Sequence, residues 1–174
     1  AIDAYRGAKQ GASVPPNVLG WLGLTLFARD DFARCAKYLK LASTPEEPQN
    51  TQPTIWKVLS MALVELGDFK EAAETVEHFL AITPPSDERG ISLLTKSKAL
   101  LGLKDYAGAK AATQEGLGFI KAGKRQAQLM MQEGDILMAE ARDLMAAGDT
   151  NGGIKLFNEA AGKYIVPSQL IVDP

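Results

Sequence analysis

Cys35 and His78 are the only cysteine and the only histidine in the chain. They are its readiest nucleophile and base, so a thiolate–imidazole pair is the first chemistry to test. The surroundings of both argue against it. His78 stands between the apolar Val76 and Phe79 and four residues after Glu74, the spacing of a solvated helix pair. Cys35 falls where a helix needs a small residue for packing. A single cysteine also excludes an intrachain disulfide and a cysteine-based zinc cluster. "GDTNGG" (148–153) offers glycine-rich backbone that could cradle a phosphate or help ligate calcium. It lacks both the Gly-Lys-Ser/Thr ending of a phosphate loop and the spaced carboxylates of a calcium loop, and a turn explains it equally well. Glu133, Asp135 and Glu140 share one helical run without histidine partners, which reads as a solvated face. The tightest basic group, Lys121, Lys124 and Arg125, suits a helix terminus more than a phosphate patch. With a formal net charge of -2 the chain has no field to draw nucleic acid. We therefore expect no enzyme, no cofactor, no metal and no nucleic-acid partner.

These residues must be carried by some scaffold, and composition bounds it. The 174 residues suffice for one domain with a real core, and 46% hydrophobic with 23% charged residues is ordinary globular usage. No stretch approaches the ~18 uninterrupted apolar residues of a membrane span, so membrane insertion is not expected. Asp3, Arg6 and Lys9 interrupt the opening too early for a secretory signal. The expectation is a cytoplasmic protein. The bacterial periplasm stays open, because the natural start may lie upstream of Ala1.

The scaffold repeats itself. "RDDFARCAKYL" (29–39), "LGDFKEAAETV" (66–76), "LKDYAGAKAAT" (103–113) and "AGDTNGGIKLF" (147–157) align on Asp31, Asp68, Asp105 and Asp149, at spacings of 37, 37 and 44. An aromatic follows in three copies: Phe32, Phe69 and Tyr106. Four residues after each aspartate comes Cys35, Ala72, Ala109 or Gly153, and four later Leu39, Val76, Thr113 or Phe157. Aspartate is a good N-cap, and Asp68 with Glu71 has the spacing of a capping box. Gly67 and Gly148 permit the reversal before the cap, where Asp30 and Lys104 must manage without a glycine. The small residue lets two antiparallel helices approach closely. Upstream of each aspartate lies another helical run, at roughly 17–28, 53–66, 88–102 and 124–147, with prolines at the joins. Ala1, Tyr5 and Ala8 repeat the small–bulky–small spacing. Their missing aspartate would fall one period of about 34 residues before Asp31.

This pattern resembles the tetratricopeptide repeat (TPR) family. The second unit matches best, with Trp56, Leu59, Gly67, Asp68, Phe69, Ala72 and Pro84 at the motif positions. The first keeps Leu22, Gly23, Phe32 and Ala42. The third keeps Tyr106 and Ala109 but has Lys96 in an apolar slot. The fourth keeps Gly148-Asp149, has lost the aromatic and follows a linker longer by seven residues, so helices 105–121 and 124–147 should overrun by a turn or two. The resemblance implies an all-α fold, an α-solenoid coiled as a right-handed superhelix of about four hairpins plus an N-terminal half-repeat. All of 1–174 then forms one TPR-like domain: half-repeat 1–11, repeats 16–50, 53–86, 88–122 and a degenerate 124–164, and tail 165–174.

The resemblance further implies a concave face built from the first helix of each repeat, binding a peptide or amphipathic helix of a protein partner. By repeat position that groove would show Leu24 and Phe27, then Lys57, Met61, Val64 and Glu65. Leu94, Lys98 and Leu101 follow, then Met138, Arg142 and Met145. Several of these could equally be packing residues. Gly20 and Leu24 replace the lysine and asparagine of the carboxylate-clamp subclass, which argues against a C-terminal carboxylate ligand. A Met-rich apolar lining suits a hydrophobic segment. After Lys163 the helical pattern stops, leaving an apolar tail that folds back, leads into a further unit, or self-associates. A homo-oligomer built through incomplete end repeats is the alternative function. Trp56 has a motif role, whereas that of Trp21 is open.

Overall fold

The computed structural model describes residues 14–172, so the half-unit expected at 1–11 lies outside the described residues, as do the last two residues of the tail. The described chain is all-α, with eight α-helices and no strand. In order they are α1 Pro16–Phe27, α2 Phe32–Ala42, α3 Pro53–Leu66, α4 Phe69–Ile82, α5 Asp87–Gly102, α6 Tyr106–Phe119, α7 Gly123–Ala146 and α8 Thr150–Val172. A single 3-10 turn, Pro48–Asn50, interrupts the loop before α3.

Four of the inter-helix turns are copies of one another. The residue before each key aspartate is left-handed: Asp30 at φ 57°, Gly67 at 80°, Lys104 at 61° and Gly148 at 94°. The aspartate amides of 31, 68, 105 and 149 donate back to the carbonyls of Leu26, Leu63, Leu100 and Leu144 at 2.9–3.0 Å. This six-to-one bond closes the helix end as a Schellman motif does. The aspartate then opens the next helix. Asp31, Asp105 and Asp149 accept from the amides of Arg34, Gly108 and Gly152. Asp68 makes no such bond, and Glu71 turns away to Lys40 Nζ at 2.6 Å. The capping box expected at Asp68 and Glu71 therefore does not form.

Close approach follows from small residues on both partners. Cys35, Ala72, Ala109 and Gly153 are all buried, and so are Gly23, Ser60, Ser97 and Ala141, which stand eight residues before each aspartate on the preceding helix. A Cβ on Gly153 would lie 2.9 Å from the Ala141 carbonyl. Thr113, a polar residue in an apolar slot, is satisfied there. Its Oγ1 donates to the Ala109 carbonyl at 3.0 Å and lies 2.8 Å from Ser97 Oγ.

Each helix packs on the next, and α1, α3, α5 and α7 also pack on one another in succession. The second helices make no comparable contact with each other. The aromatic after each aspartate serves these junctions: Phe69 lies against Gly102 of α5, and Tyr106 donates from its hydroxyl to Asp143 of α7 at 2.7 Å. Thr150 takes the aromatic's place in the last hairpin, which no described helix follows. Lys96 solves its apolar slot by reaching Glu77 on α4 at 2.6 Å.

The overrun is confined to the last hairpin. Helix α6 has 14 residues like α4, whereas α7 and α8 have 24 and 23. Helix α8 also continues past Lys163 to Val172, through Pro167. The helical pattern expected to stop at Lys163 does not. The long α7 supplies the support: Tyr164 donates to Asp135 at 2.6 Å and Lys163 pairs with Glu133 at 3.0 Å.

Candidate functional site

The chemistry-bearing residues singled out by the sequence are engaged in packing and capping. Cys35 is 0% exposed, and burial, with Asp31 adding to it, pushes its thiol up to about 11. A thiol held protonated at neutral pH is a poor nucleophile. The His78 ring packs against Trp56 with centroids 4.7 Å apart, so it belongs to the hairpin rather than to a solvated pair with Glu74. Trp56 is itself 2% exposed, and its indole N–H donates to the Pro48 carbonyl, fixing the 3-10 turn. Asp149 and the glycines of "GDTNGG" form the last cap and close approach. Among the described residues no group of three or more His, Cys, Asp or Glu could hold a metal ion. No described helix is long and apolar enough to cross a membrane.

What the fold does bring together is the succession of first helices. All twelve expected groove residues lie on α1, α3, α5 and α7, and none is fully buried. Their surroundings differ. Phe27 lies edge-to-face on Phe32 with centroids 5.6 Å apart, and with Val64 it packs on the main core. Met145 leans over Gly153 at the last turn. Lys57 forms an ion pair with Glu88 of α5, which also lies 3.8 Å from Arg125 of α7. Leu24, Met61, Leu94, Leu101 and Met138 are half-exposed, while Glu65, Lys98 and Arg142 are exposed.

One concavity between the first helices was not foreseen. A cleft of about 470 Å³ opens between the N-terminal halves of α1 and α3. Trp21, Leu24, Ala42 and Ile55 give it an apolar lining, and Asn17, Gln52 and Thr54 stand at its polar edge. Of the expected groove residues, only Leu24 reaches it. An equivalent cleft of about 330 Å³ lies one hairpin on, lined by Pro53, Thr54, Lys57 and Phe79 among others. Several equivalent positions differ between them, Thr51 standing where the next hairpin has Glu88. Gly20 stands where the next hairpin has Lys57, and Ala42 where it has Phe79. Small residues leave the first cleft open; the Lys57–Glu88 pair spans the second. The signal was present in the sequence as an odd glycine in a column otherwise holding Lys57, Leu94 and Met138.

Carboxylate–phenol contacts tie the later helices and not the cleft. Lys104 and the Tyr106 hydroxyl hold the Asp143 carboxyl below its ordinary value, while burial, together with Asp143, raises the Tyr106 phenol to about 12. Burial and Asp135 do the same for Tyr164, also to about 12. No protein-family model matches the sequence, and no curated protein matches it.

Proposed function

We propose that the chain is a TPR-like α-solenoid, a non-enzymatic interaction module that binds a peptide or amphipathic helix of a protein partner along its row of first helices. The observation that carries this reading is the solvent access kept by the twelve side chains on four first helices packed in succession. Repeat arrays that cannot bury a hairpin's apolar side alone stack in this way and present a continuous face. The buried, protonated thiol of Cys35 is compatible with binding rather than turnover. The test is capture of a partner from the native organism by the full chain. Met61→Glu with Leu94→Glu should lose the captured protein while far-UV circular dichroism stays unchanged. Retention of the partner by this variant would refute the groove.

A second reading is favoured by apolar side chains left exposed on the first and last described helices. Val18 is 39% and Trp21 71% exposed on α1, whereas Ile55, the Val18 counterpart on α3, is 5% exposed. At the other end Ile154 is 48% exposed where its counterpart Ala36 is 4%. Head-to-tail stacking of copies would cover both sets. A monomeric mass by light scattering at high concentration would count against it.

A further inference from the structure

We infer that the cleft between α1 and α3 is an anchor subsite that takes one uncharged, bulky apolar side chain of a partner polypeptide. This inference rests on the interaction-module reading and specifies where along the face selectivity arises. Three observations carry it. First, none of the eleven lining residues is ionisable, so a charged side chain entering the cleft would lose water with nothing to pair with. The corresponding position of the next hairpin carries the Lys57–Glu88–Arg125 chain of charges instead. Second, the volume of about 470 Å³ exceeds a single large side chain and leaves room for flanking peptide groups. Third, Trp21 offers an indole that is 71% exposed, an amphipathic surface of the kind that dominates recognition hot spots.

The polar edge favours a peptide over a free hydrocarbon. Asn17, Gln52 and Thr54 have no side-chain hydrogen-bond partner among the described residues and stand ready for backbone amides and carbonyls. Gly20 is the gate. A Cβ there would lie 3.1 Å from the flexible end of Ile55, so a larger side chain is tolerated by the helix but fills the opening.

The experiment is a titration of the full chain, labelled with nitrogen-15, with three capped tripeptides, Ac-Ala-X-Ala-NH2, where X is Phe, Glu or Lys. The two indole N–H resonances separate the sites, because that of Trp56 is bonded to the Pro48 carbonyl. The Phe peptide should move the Trp21 resonance saturably, with the Glu and Lys peptides at least about tenfold weaker. Gly20→Leu should abolish the response with helix content retained. Trp21→Ala, at an exposed position, should weaken saturation transfer from protein to the Phe ring. Equal responses to all three peptides would overturn the inference. So would a response that survives Gly20→Leu, one that follows protein rather than peptide concentration, or one given by toluene but not by the Phe peptide. Met61→Glu separates the two readings. A Phe-peptide response that persists when Met61→Glu fails to stop partner capture supports the cleft and sinks the wider groove. A missing response beside Met61-dependent capture sinks the cleft alone.

Discussion

Cys35 shows how a reactive group becomes a packing group. Its folded-state value of about 11 lies above the free-thiol 9.0, so the folded chain binds the thiol proton more tightly than the unfolded chain does. Stability from this site is complete below pH 9 and lost as the pH climbs to 11. Cys35→Ala should flatten the fall in unfolding free energy across that interval, read by urea titration, by on the order of 2 kcal/mol at its alkaline end. An unchanged pH profile would contradict the burial account. The Ser97–Thr113 pair makes a second prediction at this scale. Thr113→Val alone strands the Ser97 hydroxyl and should cost about 1–3 kcal/mol, whereas adding Ser97→Ala should recover part of the loss. Chemical denaturation of the three variants checks it. The sequence announced Cys35 as a small-slot residue, because its column also holds alanines and glycine. It could not announce the partner of Thr113, since that depends on which of many polar residues faces it across the hairpin.

Helix ends were legible because their logic is local. The expected first helices at 53–66 and 124–147 correspond to Pro53–Leu66 and Gly123–Ala146, and every second helix starts immediately after its aspartate. Local logic failed where tertiary contact competed. Glu71 has the spacing of a capping-box residue, yet Lys40 on another helix takes its carboxylate. The extension of α8 through Pro167 likewise depends on the long neighbour α7, which no local signal in "YIVPSQLIVDP" reveals. The aspartates should therefore not be equivalent. Asp105→Ala should destabilise by about 1 kcal/mol through its lost cap, and Asp68→Ala by clearly less. Thermal midpoints of the two variants decide it. Asp30 adopts the left-handed turn at φ 57° without a glycine, so Asp30→Gly should raise stability by up to about 1 kcal/mol. A drop in melting temperature would show that its side chain matters more than its backbone.

Taken whole, the molecule is joined mainly between neighbours in sequence, with ion pairs such as Lys40–Glu71 and Lys110–Glu140 linking one hairpin to the next. Exposed pairs of this kind add little each, so cohesion rests on the buried seams. In a repeat array of the kind proposed above, damage should stay local. Ala141→Leu, crowding the seam with Gly153, should lower the first part of a helix-content unfolding curve and leave the Trp56 emission midpoint nearly unmoved. Coincident shifts by both probes would mean that the array unfolds as one unit. Aligning the repeats conveys an all-α chain of paired helices, and the described first helices pack on one another in succession. The alignment conveys the cleft only as an odd glycine in one column, because the cavity also needs the small Ala42 across from Gly20.

The uneven length of the first helices has a steric corollary. Measured back from their aspartates, α5 begins at Asp87, 18 residues before Asp105, and α7 begins at Gly123, 26 residues before Asp149. At about 1.5 Å per residue the extra eight residues lengthen α7 by about 12 Å. Since the four turns are alike, that excess emerges at the opposite border, the same border on which the cleft opens. That margin of the molecule is a terrace with a kerb at one end. A peptide docked beside Trp21, as inferred above, and running toward α7 would meet that excess length, which would give the margin a finite span.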